Sequence, residues 1–370
     1  MVSQKHKETS LEELVVLISH QSTLVESQLE RSNKLLEQLV LTNNMLLEQA
    51  LEISRLGVAL RLVQVEVKQG FDVNQLDRIS HRFKRNFLPN DSSLSQKTLM
   101  AIWQAESTQF LSYKDILASG FRVFSQNDED GMLLRIFTHI GITNKCVIEI
   151  GSNCSDSDLG IPENISTNLI VNHGWHGLVF EIDLKECSRI QYFFARDLST
   201  KHYHFRANGN NGYFSPLIVS QAISPENINQ VLADNLGELA PDLMVIDIDG
   251  GDYEVIQRMK ECRPRVIVVE FEKLFRDTYS VVQFCPDDFS SKWPQSGTAS
   301  LSAWVKLLGV MGYALCAIGT CGFNAFFIRS DIATSKFLAL NASDAFDNHP
   351  ILSQVSDEFW IAPDETWQAV

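Results

Sequence analysis

From about residue 121 the chain alternates short, almost wholly apolar runs with stretches whose apolar positions recur every three or four residues. The apolar runs are Cys146–Ile150, Leu178–Ile182, a weaker one at Pro216–Ala222, Leu243–Ile248, Arg265–Phe271, Tyr313–Ile318 and Phe323–Ile328. Helical patterns cover Asp130–Ile140, Leu184–Arg196, Pro225–Asn235, Tyr253–Lys260 and Leu301–Met311. Strands apolar on both faces, alternating with helices, predict a parallel sheet covered on both sides. Only Gly319, Thr320, Cys321 and Gly322 join the last two runs. That link is far too short for a parallel crossover, so the final pair is predicted to be an antiparallel hairpin. The expected fold class is α/β: a doubly wound, mainly parallel, Rossmann-like sheet of seven strands.

Residues 1–70 obey a different pattern. They contain no proline, cysteine or aromatic residue, whereas the rest of the chain holds all ten prolines. Positions seven apart read Leu11, Ile18, Val25, Ser32, Leu39, Leu46, Ile53 and Leu60, apolar in seven of eight. The companion d positions include Gln21, Gln28, Thr42 and Gln49, so that edge of the stripe is interrupted. Such a heptad predicts a long helix, or a hairpin broken near Gly57, that buries its seam against a partner helix. A homo-oligomer through this coiled-coil segment is expected; a helix lying on the protein's own body is the alternative. Residues 71–120 read as a helical connector. It carries a basic cluster, Arg78, His81, Arg82, Lys84 and Arg85, followed by Pro89 and a polar break at 90–96. The expected organisation is 1–70 oligomerisation helix, 71–120 connector, 121–330 catalytic domain and 331–370 C-terminal extension.

Composition narrows the function classes. With 45% hydrophobic and 21% charged residues, the chain is globular and not disordered. A net charge of −15 repels phosphate backbones and acidic membranes, so no nucleic-acid partner is expected and the basic cluster reads as a solvated helix face. No apolar run is long enough to span a bilayer, and the N-terminus lacks a signal-peptide pattern, so a cytoplasmic location is expected. The seven cysteines form no C-x-x-C pair, which leaves neither a zinc ribbon nor a disulfide framework readable. His173, His176, His202 and His204 show no metal-ligand spacing and read as turn or packing residues.

Chemistry in an open α/β sheet gathers beyond the carboxyl ends of the strands, where strand order reverses. The first strand ends Glu149-Ile150-Gly151-Ser152-Asn153. Its glycine permits close backbone approach, and Glu149 can accept from an ammonium group or order the loop. The second strand ends Glu181-Ile182-Asp183, about thirty residues after the glycine turn, where an acid is placed to take both hydroxyls of a ribose. The fourth ends Asp247-Ile248-Asp249-Gly250-Gly251-Asp252 and the fifth Glu270-Phe271-Glu272. Crowded carboxylates repel and persist best beside a cation, a donor-rich ligand or a substrate hydroxyl. Helix capping is the structural alternative for Asp252.

Taken together, these blocks resemble the FkbM-type branch of class I S-adenosylmethionine-dependent methyltransferases, over about 121–329. The matching blocks, in order, begin with Phe124-Ser125-Gln126, Glu129-Asp130-Gly131, Glu149 to Asn153 and Glu163-Asn164. Asn172 to Gly177, Glu226 to Asn229, Ile246 to Gly250 with Asp252-Tyr253, and Pro264 to Val266 leading into Glu270 follow. Ser300-Leu301 and Asn324 to Phe327 close the domain. The sequence departs from the pattern after Asn153, where Cys154 and Ser155 replace a customary glycine. The resemblance implies a cofactor, S-adenosylmethionine, held by Glu149, Gly151, Ser152, Asn153, Glu181, Ile182, Ser224 and Asp247. It implies O-methylation of a small-molecule or glycan acceptor, a hydroxyl on a sugar or secondary metabolite, with Asp249 or Asp252 as general base. An alternative has Asp247, Asp249 and Glu270 holding Mg²⁺ to lower the acceptor's pKa. Two rival readings are a nicotinamide-dependent oxidoreductase, for which G-x-G-x-x-G is missing, and a non-catalytic scaffold.

Overall fold

The computed structural model describes residues 91–106, 110–152, 162–196, 203–204, 212–213, 216–236, 240–283 and 298–370, with separate helical positions between 15 and 34. The chain divides into two compact units, Met1–His81 and Arg82–Val370. Most of the heptad stripe, and the basic cluster from Arg78 to Arg85, lie outside the described residues. Where the first unit is described it is helical, and Val25, one of the a positions, is exposed.

The second unit is built on seven strands: β1 (Cys146–Ile150), β2 (His176–Glu181), β3 (Leu217–Ser220), β4 (Leu243–Ile246), β5 (Val266–Glu270), β6 (Tyr313–Ile318) and β7 (Asn324–Arg329). Their order across the sheet is β3-β2-β1-β4-β5-β7-β6. Strands β1 to β5 pair in parallel, and β7 runs antiparallel to both β5 and β6. Every residue of β1 and β4 is buried, as expected of strands covered on both faces. The predicted strands are found with ends moved by two residues or fewer, and the final hairpin is antiparallel as its four-residue link requires. Order reverses between β1 and β4, which fixes where a ligand cleft opens.

Ten helices are used below: α1 (Asp91–Ala105), α2 (Tyr113–Ala118), α3 (Glu129–Ile140), α4 (Thr167–His173), α5 (Leu184–Arg196), α6 (Ile228–Leu236), α7 (Asp252–Arg258), α8 (Leu301–Val310), α9 (Ser330–Ala333) and α10 (Ala342–Asp347). The polar stretch at 90–96 was expected to break the chain, yet it opens α1. Its Gln96 is buried and takes hydrogen bonds from Asn168 Nδ2 (2.9 Å) and the His173 ring (2.7 Å). A polar stripe on α1 therefore meets a polar stripe on α4, and neither shows the apolar period that marks a helix in sequence. Burial holds the His173 pKa down to about 3, so this ring stays neutral.

Residues of the expected connector and extension share the core of this unit. Leu111, Tyr113 and Ile116 are buried, and so are Phe337, Ala345 and Phe346. Leu340 donates its N–H to Leu315 on β6 (2.9 Å), and the Phe346 ring meets Phe271 edge-on. His349, fully buried, bonds the carbonyl of Gly319 (3.1 Å) and accepts from the N–H of Leu352 (2.9 Å), tying the segment to the β6–β7 turn.

Candidate active site

A cavity of about 760 Å³ opens at the carboxyl edge of the parallel strands, between the loops after β1 to β5 and the start of β7. Its floor is the contact between two strand ends. Gly151 has φ +85°, and a Cβ there would sit 1.7 Å from the carbonyl oxygen of Asp247. The glycine thus serves the packing of β1 against β4 as much as any ligand. Beyond β4, Asp249, Gly250 and Gly251 all take positive φ (52°, 142° and 86°), a reversal that an ordinary run of side chains would resist. Asp252 braces it from beneath. Its carboxylate, 2% exposed, accepts the N–H groups of Ile248 (2.9 Å) and Gly250 (3.1 Å). This brace is distinct from helix capping, since the cap position is Gly251.

The β2 side is set by acceptors with capacity to spare. Glu181 is half-buried and accepts from the N–H of Asp183 (2.8 Å) and Ser152 (3.2 Å). A carboxylate has about four lone-pair sites, so Glu181 keeps acceptor capacity on the cavity side. Burial, first of all, raises its pKa. Glu149 faces inward and orders the following loop by accepting from Ile165 (3.0 Å) and Ser166 (3.0 Å). Asn164 donates to the Ser152 hydroxyl, and Asn227 clasps the next loop by accepting from Ser224 N–H and donating to the Ala222 carbonyl (each 2.8 Å). Ile182, 62% exposed, and Ile223 add apolar surface to this half of the cavity.

The β4 and β5 ends bring acids together. Ligand oxygens of Asp247, Asp249 and Glu270 all lie within 4.8 Å of one another. Glu270 is pushed up to about 7 by burial and then by the charges of Asp252 and Asp249. Asp247 touches water in the cavity yet is enclosed by protein, and burial followed by the charge of Glu270 holds its pKa well above the usual range. Burial likewise lifts Glu149 to about 7, and Asp130 and Asp252 to about 6.

These shifts carry a sign. A carboxyl whose folded pKa exceeds its unfolded one keeps a proton that the unfolded chain has released, so stability falls as pH rises through about 7. His139, His173 and His349 are lowered by burial and oppose this below about 6.5, where unfolded imidazoles charge. The melting temperature should therefore climb by several degrees as pH is lowered from about 7.5 toward about 5, at roughly 2–4 °C per kcal/mol, because the raised carboxyls outnumber the lowered imidazoles. Scanning calorimetry checks it; a flat profile would mean that the acids are neutralised in another way.

Of the residues singled out in sequence, Glu149, Gly151, Ser152, Glu181, Ile182, Ser224, Asp247 and Asp249 line this one cavity. Asn153 lies outside the described residues. Asp252 is not in the lining, because it faces the backbone of its own turn. Gln126, Glu129, Glu254 and Asn324 line the cavity as well, and no role for them was read from sequence. Three of the four sit in blocks quoted for the family resemblance, which was the available signal.

A doubly wound sheet with this strand order and an antiparallel last pair fits the Rossmann-like class I methyltransferase architecture. Residues 162–287, about a third of the chain, match the family model described as the methyltransferase FkbM domain. That segment supplies Glu181, Ser224, Asp247, Asp249 and Glu270, and it supports a methyltransferase. Among solved structures, the chain is similar to magnesium protoporphyrin IX methyltransferase from Synechocystis PCC 6803 with bound SAM. Identity is 11% over 65% of this chain and 80% of that one, with TM-score 0.29. It is also similar to the O-methyltransferase from Bacillus cereus in complex with SAH, at 14% identity over 68% of this chain and 96% of that one, with TM-score 0.30. Comparison with curated protein sequences gives no match. No helix among the described residues is long and apolar enough to cross a membrane.

Proposed function

We propose that this protein is an S-adenosylmethionine-dependent O-methyltransferase whose acceptor is a hydroxyl on a sugar, glycan or other small metabolite. The observation that carries the reading is Glu181, a half-buried strand-end carboxylate lining the same cavity as the Gly151 loop. The cavity also suits a cationic cofactor, since among the described residues nine that line it are acidic and none is basic. When bound, the cofactor supplies an electrophilic methyl group on a sulfonium.

The chain's own part is alignment and proton removal. Glu181 and Ser152 hold the ribose side, Ile182 and Ile223 cover the base, and Glu149 keeps residues 165–166 in place. Asp249, at the crest of the β4 turn, takes the acceptor's proton. Asp252 is a positioning residue in this reading, since its oxygens are engaged in holding that turn. Should a divalent cation be used, Asp247, Asp249 and Glu270 would hold it, and its charge would lower the acceptor's pKa.

Thermal stability tests the reading. S-adenosylmethionine or its demethylated product at about 100 times Kd should stabilise the fold by ~2.7 kcal/mol, and NAD should not. Glu181→Ala should weaken that binding by ~1–3 kcal/mol in calorimetry, the loss typical of an acceptor in charge-assisted hydrogen bonds. A response to NAD alone, or to neither ligand, overturns the proposal.

A further inference from the structure

Strand β7 is antiparallel, so its first residue, not its last, meets the cleft. Asn324 pairs in register with Glu270 at the carboxyl end of β5. Between Glu181 on β2 and Asn324 on β7 lie four strand spacings, roughly 19 Å at ~4.8 Å each. Asn324 therefore belongs to the end of the cavity opposite the ribose carboxylate.

Its amide has a fixed orientation. Asn324 Nδ2 donates to Glu129 Oε1 (2.9 Å), and Glu129 is only 1% exposed. The Asn127 N–H donates to the other oxygen of Glu129 (3.0 Å). Glu129 accepts on both oxygens, its Oε1 also from Asn127 Nδ2 (3.4 Å), so a flipped amide would set oxygen against oxygen. The Asn324 nitrogen must face Glu129, and Oδ1 is left as an acceptor with no hydrogen bond from the described residues. Gln126 stands nearby in the same wall, exposed, on a loop whose neighbours are pinned. Asp130 accepts the N–H groups of Val123 (2.7 Å), Phe124 (2.6 Å) and Ser125 (3.0 Å). The wall thus offers amides on a rigid support, and the described lining contains no lysine, arginine or histidine to meet an anion.

We propose that Asn324, oriented by Glu129 and assisted by Gln126, reads the acceptor, and that it selects an uncharged polyhydroxylated ring over its phosphorylated or carboxylated counterpart. Sugar hydroxyls donate to Asn324 Oδ1 and exchange hydrogen bonds with the Gln126 amide, whereas a phosphate would find carboxylates and no cation among the described lining residues. This rests on the methyltransferase reading above, and the test separates the two.

The probes are methyl glycosides of common hexoses, the matching hexose 6-phosphates and the matching uronates. Each is offered to the full chain with S-adenosylmethionine labelled in the methyl group, and each is titrated by NMR against protein saturated with the demethylated cofactor. At least one neutral glycoside should bind and be methylated, with its phosphate and uronate at least tenfold weaker. Asn324→Ala should raise KM for that glycoside tenfold or more, with kcat and cofactor Kd changed less than threefold. Glu129→Gln, whose amide can donate and so permits the flip, should raise KM in the same way at an unchanged melting temperature. Binding of no neutral glycoside, preference for a phosphate, or an unaltered KM in Asn324→Ala overturns the inference while cofactor binding survives. Loss of cofactor binding by the unmodified protein would instead remove the reading beneath it.

Discussion

Gly151→Ala should destabilise the second unit by more than ~3 kcal/mol and abolish cofactor binding, the largest effect expected of any single methyl group here. Two costs add. An L-residue at φ +85° costs roughly 1–2 kcal/mol. The new Cβ must also displace the Asp247 carbonyl, 1.7 Å away, and that carbonyl follows directly from β4. Backbone cannot swing aside as a long side chain does, so β1 and β4 must separate at the cavity floor. Gly141→Ala supplies the control. Gly141 also has a positive φ, +76°, but nothing lies within 4 Å of its would-be Cβ. It should lose only the conformational cost. Urea melts of both variants, with calorimetric titration of cofactor, decide the matter: equal losses would show that the contact with Asp247 is not the cause.

Asp249→Asn should lower turnover by about 10²–10⁴-fold, the usual worth of a positioned general base, and leave cofactor affinity within a few-fold. The substitution keeps shape and tolerates the positive φ of 52° at this position, as Asn commonly does. The fold should therefore survive, and circular dichroism would confirm that before kinetics are read. EDTA divides the two roles of the carboxylate. Turnover indifferent to EDTA leaves Asp249 as the base, and loss restored by Mg²⁺ gives it a metal to hold with Asp247 and Glu270. Full turnover in Asp249→Asn would remove it from the chemistry altogether.

The sheet was legible because strands buried on both faces leave unbroken apolar runs, and because four residues cannot make a crossover. The start of α1, within the segment read as a helical connector, and the whole of α4 were hidden for a single reason. The buried contact between α1 and α4 is made by Gln96, Asn168 and His173, so the periodicity that reveals a helix is written there in polar residues. The acids were harder to sort. Sequence places Glu149, Asp249 and Asp252 side by side with equal standing, but their roles depend on which backbone N–H groups come to meet them. Asp130, Asp242 and Asp252 each gather two or three such donors and hold loops. Glu181 gathers such donors too, yet it and Asp249 line the cavity while Asp252 does not. Donors brought from loops far away along the chain leave no local trace. Asn324 stood in a block quoted for the resemblance, but its place beside Glu270 follows from pairing register, which the sequence does not state.

The reversal of β7 also divides the labour of the cleft between stretches of chain far apart. The family match ends at residue 287, whereas Gln126, Glu129 and Asn324 all lie outside it. The turn at 319–322 beside Asn324 is pinned by Asp128 accepting from Thr320, and by Lys273 donating to the Cys321 carbonyl (2.8 Å). Substitutions in that turn or around residue 126 can recast the acceptor wall while the β2 and β4 loops stay as they are. On the proposed reading, a change confined to that turn should alter which acceptor is taken and leave the affinity for the cofactor as it was.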